Sequence, residues 1–372
     1  MTSPLCPYFG SCGGCTSQNI EYQTQLDNKL KIVSRNIGLP EAEIKTFSDN
    51  PYSYRNRMDF IFHQRGLGLR RRGDWRSIVD VEKCAISNDK LNILLQEVRD
   101  FFHDVDSFDI RRKSGAFRYA LIRTPSGSSS ISFVLNENSM KIAQATERIQ
   151  EYSKKSSADN IIITFVPKDT DNSISEDFYV VKGRDMLSEN FLGRDFEYSV
   201  QGFFQNNTEM AQKMHEYVRS LVKSYGTSAM VLLDLYGGVG TFGINNADLF
   251  KKIIIVEGDK HCIDSAKENI LKNSIPNAEA ILLDAMNLKK LRLEGDIFVI
   301  TDPPRSGMHP KTIEELKRIK PKHMIYISCN VEQLGKDVKK FPQYTIKNAA
   351  MFDLFPQTPH IEVVVEMERI TI

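Results

Sequence analysis

Cys329 sits in Ile327-Ser328-Cys329-Asn330, just beyond the apolar run Met324, Ile325, Tyr326, which places a single thiol at the exit of a buried strand. Two more apolar runs carry reactive groups at their ends. Asp302-Pro303-Pro304-Arg305 closes one, and Pro359-His360-Ile361-Glu362 opens another. A thiolate is a nucleophile, a carboxylate accepts a proton, and a guanidinium partners charge or a flat polar ring. In an open α/β sheet ligands bind at strand ends, so this group of side chains predicts a site.

The elements that must position them change character along the chain. Tyr22, Leu26, Leu30, Val33 and Ile37 recur at spacings of three and four, which predicts an amphipathic helix over 19–38. From about 51 to 183 short alternating segments dominate: Met58 to Phe62, Ala120 to Arg123, Ile131 to Leu135 and Ile161 to Phe165. That rhythm predicts an antiparallel α+β region. From 199 onward strand, loop and helix alternate, with strands at Val231 to Leu235, Ile253 to Val256, Ile281 to Leu283, Ile297 to Ile300 and Met324 to Ile327. The second half therefore reads as an α/β, doubly wound, Rossmann-like parallel sheet. The expected division is 1–198 and 199–372.

A chain of 372 residues with 41% apolar side chains is long enough for two or three domains with real cores. The net charge of +1 gives no global field for a polyanion, so a basic surface must come from local segregation. Such segregation exists. Seven arginines fall between Arg55 and Arg76 against Asp59 and Asp74, with Phe60, Phe62, His63 and Trp75 among them. Arg111, Arg112, Lys113, Arg118 and Arg123 form a second cluster around Phe117 and Tyr119. Such runs read first as a solvated sheet face, and they also suit phosphate contact and base stacking. Met1 to Cys6 shows no basic region leading into an apolar core, and no stretch approaches the ~20 apolar residues of a membrane span. A cytosolic protein without membrane association is expected. Neither a heptad run nor a long apolar edge demands a dimer, so a monomer is expected.

In a reducing cytosol cysteines serve as metal, cluster or catalytic groups more readily than as disulfides. Cys6, Cys12 and Cys15 are closely spaced around Gly13-Gly14, and Cys84 is available as a distant fourth thiolate. Four thiolates suit a tetrahedral zinc or an iron-sulfur cluster, and spacing leaves both open. Cys262, beside Ile263 in a helical pattern, reads as a small core residue.

The run Leu233-Asp234-Leu235-Tyr236-Gly237-Gly238-Val239-Gly240-Thr241-Phe242-Gly243 leaves a strand and enters a helix. Gly238, Gly240 and Gly243 satisfy the dinucleotide fingerprint, and Glu257 ends the next strand where a ribose-binding acid belongs. A nucleoside cofactor without a pyrophosphate fits the same turn, with Glu257 on the ribose and Asp284 near the adenine. The Asp-Pro-Pro-Arg turn weighs against hydride transfer and for methyl transfer to a flat nitrogenous substrate.

With these motifs in place, nearly the whole chain resembles the RNA uridine C5-methyltransferases that use S-adenosylmethionine. The resemblance rests on the four cysteines, Gly202-Phe203-Phe204-Gln205-Asn206-Asn207, the loop Asp234 to Gly243, Asp302 to Gly307, Ser328-Cys329-Asn330, and Phe355-Pro356-Gln357-Thr358-Pro359-His360-Ile361-Glu362. It implies a Rossmann-like catalytic domain preceded by an α+β iron-sulfur and RNA-binding region. It implies S-adenosylmethionine held by Gln205, Tyr236, Gly238, Glu257, Asp284 and Asp302, with Asp302 also near the uracil edge. It implies a 4Fe-4S cluster on Cys6, Cys12, Cys15 and Cys84. Cys329 is then the nucleophile that adds to uracil C6, and Glu362 the base that removes the C5 proton. Many members begin with a small RNA-binding β-barrel, for which Cys6 leaves no room, so RNA contact is expected on the cluster region and the arginine hairpins.

A uridine inside a stacked duplex cannot meet a thiolate at C6, so the target is expected in a loop and flipped, with Phe203 or Phe204 available to stack on it. Large-subunit ribosomal RNA is expected ahead of tRNA. The competing readings are an iron-sulfur oxidoreductase binding a dinucleotide and a non-catalytic RNA-binding protein. Both leave Cys329 and Glu362 without a task.

Overall fold

In Arg57–His63 the side chains of Met58, Phe60 and Phe62 turn inward while Asp59, Ile61 and His63 stay nearer the surface, the period-two pattern of a strand with one buried face. A computed structural model, describing residues 2–370, shows what such segments build. The chain divides into two units. The first holds the residues up to Tyr22, then Asn50–Glu189 and Ser199–Thr208; the second holds Gln23–Asp49, Asn190–Tyr198 and the residues from Glu209 onward. Helix α1 (Tyr22–Ile37) and strand β1 (Ile44–Phe47) thus come early in the chain yet belong almost entirely to the second unit. A single cut after residue 198 does not describe this interleaving.

The first unit is built on a seven-stranded sheet. Its strands are β2 (Arg57–His63), β3 (Gly66–Arg71), β4 (Asp74–Asp80), β5 (Phe117–Arg123), β6 (Ser130–Asn136), β7 (Asn160–Val166) and β8 (Phe178–Lys182), in the order β4-β3-β2-β5-β6-β7-β8. Helix α2 (Asp89–Phe101) precedes β5 and helix α3 (Ile142–Ser153) joins β6 to β7. All pairs are antiparallel except β6 with β7, because α3 is the crossover a parallel pair needs. The core gathers Phe62, Phe102, Phe117, Phe133 and Tyr152, with ring centroids of Phe62 and Phe117 5.1 Å apart and of Phe102 and Phe133 4.9 Å apart. Strands β9 (Met186–Phe191) and β10 (Arg194–Ser199) form a separate hairpin.

In the second unit, Val231–Leu235 (β11), Lys252–Glu257 (β12), Ile297–Thr301 (β14) and His323–Ser328 (β15) are almost wholly buried, as strands covered on both faces must be. Ala278–Leu282 (β13) stands at the edge and is half-exposed. The helices are α4 (Thr208–Lys223), α5 (Thr241–Asn245), α6 (Lys260–Lys272), α7 (Pro310–Ile319) and α8 (Val331–Val338), and β16 (Tyr344–Phe352) and β17 (Glu362–Arg369) close the chain. The sheet order is β1-β16-β17-β15-β14-β11-β12-β13. Neighbours of β11 are β12 on one side and β14 on the other, so the order reverses there and the loop after β11 opens at the switch point.

The sheet is not parallel throughout. Strand β17 runs antiparallel between β15 and β16, and β1 adds parallel to β16, covering what would be an open edge. Helix α1 is fastened to the same region by a buried ion pair, Lys29 Nζ to Asp353 Oδ1 at 2.6 Å, with Lys29 Nζ also donating to the Phe355 carbonyl at 3.3 Å. Gln25 Nε2 donates to Gln357 Oε1 at 3.0 Å, so two turns of α1 hold the segment between β16 and β17. Among the described residues no helix is long and apolar enough to cross a membrane.

Removing one partner of a buried pair leaves the other charge uncompensated. Lys29→Met is expected to destabilise the protein by about 3–5 kcal/mol, and the double variant Lys29→Met with Asp353→Leu by much less. Denaturant unfolding of both variants measures the difference.

Candidate active site

The loop after β11 carries its backbone into the left-handed region at Tyr236 (φ 57), Gly238 (φ 54) and Gly240 (φ 88). Gly238 and Gly240 adopt it without a Cβ penalty. A Cβ on Gly237 would lie 2.6 Å from Ile255 Cγ2, which fixes glycine there by packing against β12. The buried Asp234 accepts from Gly243 N at 2.8 Å and so closes the loop onto α5. Burial pushes its carboxyl up to about 7, against the pull of that amide and with the help of Asp302 and Glu257. Glu257, at the end of β12, accepts from Gly238 N at 3.0 Å, Gly258 N at 2.6 Å and Asp259 N at 2.8 Å. Asp284 follows β13 and caps the next turn by accepting from Met286 N at 2.9 Å. Leu283, expected in that strand, already lies beyond it and donates to the Glu257 carbonyl at 2.8 Å. Tyr236, Gly238, Glu257 and Asp284 therefore flank one end of the sheet.

The adjoining strand ends carry the remaining groups. Thr301 pairs with Tyr326, so Asp302 leaves β14 beside the end of β15. Ser328 pairs with Val363 across the antiparallel β15–β17 ladder, which sets Cys329 and Glu362 at the same edge. Burial pushes the Cys329 thiol above its ordinary value, Glu362 and Asp302 push it further, and the charge and hydrogen bond of Arg305 pull it back. Burial raises the Glu362 carboxyl well above the usual range; Asp302 adds to the shift and Arg305 opposes it. Burial likewise raises Asp302. Two carboxyls, a thiol and a guanidinium thus sense one another.

Arg305 is held from two sides. Its carbonyl accepts from Asn330 Nδ2 at 2.9 Å, and its Nη2 lies 2.8 Å from His360 Nδ1. Asn330 also caps α8 through Gln333 N at 3.2 Å, so the residue after Cys329 is fixed by two bonds. Asp337, fully buried in α8, escaped the sequence reading. It accepts from Met308 N at 3.1 Å, Tyr326 Oη at 2.8 Å, Gln333 Nε2 at 3.0 Å and Lys340 Nζ at 2.9 Å. A Cβ on Gly307 (φ 79) would come within 2.4 Å of Asp337 Oδ2. Asp337 thereby pins the loop that begins at Asp302, although flanking lysines make it look like an ordinary surface residue. Asp234 had a readable signal, an acid inside an apolar strand just before a glycine loop.

Gln205 lies in the first unit, where its carbonyl accepts from Asn56 Nδ2 at 3.2 Å. Of the two nearby aromatic rings, Phe203 is 64% exposed and Phe204 is buried. Cys262 is half-buried near the start of α6, at the margin of the core it was expected in, and Ile263 beside it takes the fully buried position.

Cys6, Cys12, Cys15 and Cys84 line one pocket of about 30 Å³, walled by Met58, Leu69, Val81 and Ile86. The loop that brings them there is stitched to β3 by Gly13 N to the Arg70 carbonyl at 2.9 Å and Arg72 N to the Ser11 carbonyl at 2.8 Å. Burial raises the thiols of Cys6, Cys12 and Cys15, the last to about 11, and neighbouring cysteines raise them further. Among the described residues no group of three or more His, Cys, Asp or Glu is gathered in a way that could hold a metal ion. The second arginine cluster is only partly solvated: Arg118 and Arg123 are buried, because every residue of β5 is.

The family model described as tRNA (Uracil-5-)-methyltransferase matches residues 21–370. A protein of Caldanaerobacter subterraneus subsp. tengcongensis, named as an uncharacterized RNA methyltransferase, is 32% identical over 98% of this chain and 84% of its own length. The tRNA (uracil(54)-C(5))-methyltransferase of Pyrococcus abyssi is 29% identical over 98% of this chain and 85% of its own. The crystal structure of that Pyrococcus abyssi enzyme in complex with S-adenosyl-L-homocysteine superposes with a TM-score of 0.81 at 27% identity, covering 96% of this chain and 86% of the other. The chain therefore belongs to the tRNA (uracil-5-)-methyltransferase family and is an S-adenosylmethionine-dependent RNA uracil-C5 methyltransferase with a Rossmann-like catalytic fold.

Proposed function

We propose that Cys329 and Glu362 carry the reaction as nucleophile and base on a uridine in a loop of structured RNA. The observation that supports this most directly is the Ser328–Val363 register, which sets the two groups at one strand edge beside Asp302. Cys329, as thiolate, adds to C6 of the ring and drives charge onto C5 and O4. S-adenosylmethionine, when bound, would supply the methyl group to C5, its methyl–sulfur bond breaking to leave S-adenosylhomocysteine. Glu362 removes the C5 proton, the C5–C6 double bond re-forms, and the C6–sulfur bond breaks to release Cys329 as thiolate. Burial and the neighbouring acid make the Glu362 carboxylate a stronger base than an exposed one. Tyr236, Gly238, Glu257 and Asp284 hold the nucleoside part of the cofactor, and Asp302 completes this side of its site and faces the uracil edge.

The donors of this pocket suit an iron-sulfur cluster: four cysteines among its lining residues, apolar neighbours, and Gly14 N donating to Cys12 Sγ at 3.4 Å. The family resemblance of the four-cysteine pattern, not the geometry of the pocket, favours a 4Fe-4S cluster over zinc. Held there, a cluster joins the N-terminal loop to Cys84 as a structural brace. As to the RNA, the sequence reading put large-subunit ribosomal RNA first. The Pyrococcus abyssi relative, a tRNA (uracil(54)-C(5))-methyltransferase, weighs toward tRNA.

The test is transfer of labelled methyl from S-adenosylmethionine into unmodified tRNA and large-subunit ribosomal RNA, followed by nucleoside analysis. Wild type is expected to form 5-methyluridine in one of them. Cys329→Ala should abolish transfer while keeping most RNA affinity, and Glu362→Gln should accumulate a denaturant-resistant protein–RNA adduct. Methylation surviving Cys329→Ala would overturn the nucleophile, and a Glu362→Gln enzyme that turns over normally would overturn the base.

The pH dependence follows from the same charges. A thiol raised above its ordinary 9.0 is mostly protonated at neutral pH, so kcat/KM should climb from pH 7 toward 9 as the thiolate forms. Arg305 lowers that thiol; removing it raises the folded-state value further and moves the climb to higher pH. Arg305→Ala should therefore lose about tenfold in rate at pH 7.5 for each unit of that shift, and recover part of it on the alkaline side. A rate profile parallel to that of wild type at all pH values would refute this role.

A further inference from the structure

The first unit contains a second concave site, unrelated to the thiol pocket, between the turn before β5 and the β3–β4 hairpin. Its volume is about 460 Å³, within the range of nucleotide-sized sites. Five arginines line it, Arg70, Arg76, Arg111, Arg112 and Arg118, against the three acids Asp106, Asp109 and Asp171.

The acids are occupied by the protein itself. Asp171 accepts from Arg70 Nη2 at 2.9 Å and from Tyr119 Oη. Asp109 accepts from Arg111 N at 2.7 Å and Arg112 N at 3.1 Å, closing the turn that presents both side chains, and Asp106 lies 3.5 Å from Lys141 Nζ. Among the described residues Arg76 and Arg111 make no close ion pair, Arg111 acting on Asp74 and Asp109 only at longer range, and the arginines lining the site outnumber its acids. Arg118 forms the floor. It is 2% exposed, its guanidinium lies 4.2 Å from the Phe108 ring centroid, its Nη1 donates to the Pro167 carbonyl at 2.8 Å, and its buried Nε has no partner. On the hairpin above, Trp75 is 51% exposed, with the guanidinium carbons of Arg70 and Arg76 at 5.4 and 5.2 Å from its ring centroid.

We propose that this site takes the phosphodiester backbone of the substrate RNA away from the target uridine, with Trp75 stacking on an adjacent unpaired base. The two contact types are physically distinct. Arginine on phosphate releases counterions, so each such contact steepens the salt dependence of binding; aromatic stacking adds affinity with no ionic signature. A pocket that merely tolerated solvated arginines would show neither. The proposal rests on RNA as the substrate, and it assigns the contact to particular residues of the β3–β4 hairpin and the 109–114 turn.

The experiment measures affinity for an unmodified tRNA transcript and a large-subunit ribosomal RNA fragment from 50 to 300 mM salt, alongside methyl transfer to each. The proteins are wild type, Arg76→Ala with Arg111→Ala, and Trp75→Ala; all three positions are exposed, so folding is not at stake. The double arginine variant should show a log–log salt slope shallower by about 1.4 to 1.8, two contacts at roughly 0.7 to 0.9 each. Trp75→Ala should bind about tenfold more weakly with the slope unchanged, and S-adenosylmethionine affinity should be the same in all. If wild type methylates an RNA that the arginine variant binds with wild-type affinity and slope, the site is refuted while the substrate class stands. If Trp75→Ala binds as wild type, the stacking platform falls. If wild type neither binds nor methylates either RNA, the substrate reading falls and this site with it.

Discussion

The antiparallel insertion of β17 between β15 and β16 is the constraint from which the active edge follows. In a purely parallel sheet the residue that begins a strand lies at the opposite end from the residue that ends its neighbour. Reversing one strand brings the start of β17 to the exit of β15, so Glu362 and Cys329 meet although 33 positions separate them in the chain. On the mechanism proposed above, Ser328 opposite Val363 is a chemical requirement as well as a register. A slip of one residue would turn every side chain of β17 to the other face. Because β17 is covered on both faces except at its last residues, that slip would misfit buried side chains on each face, and the packed core enforces the register the site needs.

Concentrating two carboxyls beside a thiol is costly, and the fold offsets the cost locally. Asp302 and Glu362 repel each other in a poorly solvated place, and both respond by holding protons more tightly. Arg305 is the counter-charge for Glu362 and for Cys329, and its backbone and side chain are each tied down. The Pro-Pro pair before it restricts the loop covalently, and Asp337 fixes the loop's far end through Met308 N. The proposed reactive groups thus sit on strand termini and short, fastened turns, the arrangement that a catalytic geometry held within narrow limits requires.

Legibility in the sequence followed the range of the interactions. The strands of the second half were readable because each is a continuous apolar run, and β11, β14 and β15 lie within a residue or two of expectation. The glycine loop was readable because positive φ demands glycine. What could not be read was long-range pairing. Strands β16 and β17 are also apolar, but only the assembled sheet shows that one of them reverses. Lys29 on α1 looks like a solvated lysine, yet it is buried against Asp353, 324 positions away. Asp337 has Lys336, Lys339 and Lys340 around it and reads as a surface acid, whereas the fold uses it as the acceptor beneath a loop. The arginine clusters carried a mixed message for the same reason: alternation along β5 does not say that both faces of that strand are covered.

Such dependence on distant contacts also explains why α1 leaves the first part of the chain for the second unit. The segment between β16 and β17 must end at Glu362 with a defined approach, and it contains Gln357 at φ 66, a conformation disfavoured for a residue with a Cβ. Local bonds hold part of it, with Thr358 Oγ1 donating to the Phe355 carbonyl at 2.7 Å. The rest comes from α1, through Lys29 to Asp353 and the Phe355 carbonyl and through Gln25 to Gln357. A strained turn persists only where its surroundings over-determine it, and a helix supplied from outside the βα succession does this without altering the strand order. The N-terminal helix is in this sense part of the active site's frame, though it contributes no reacting group.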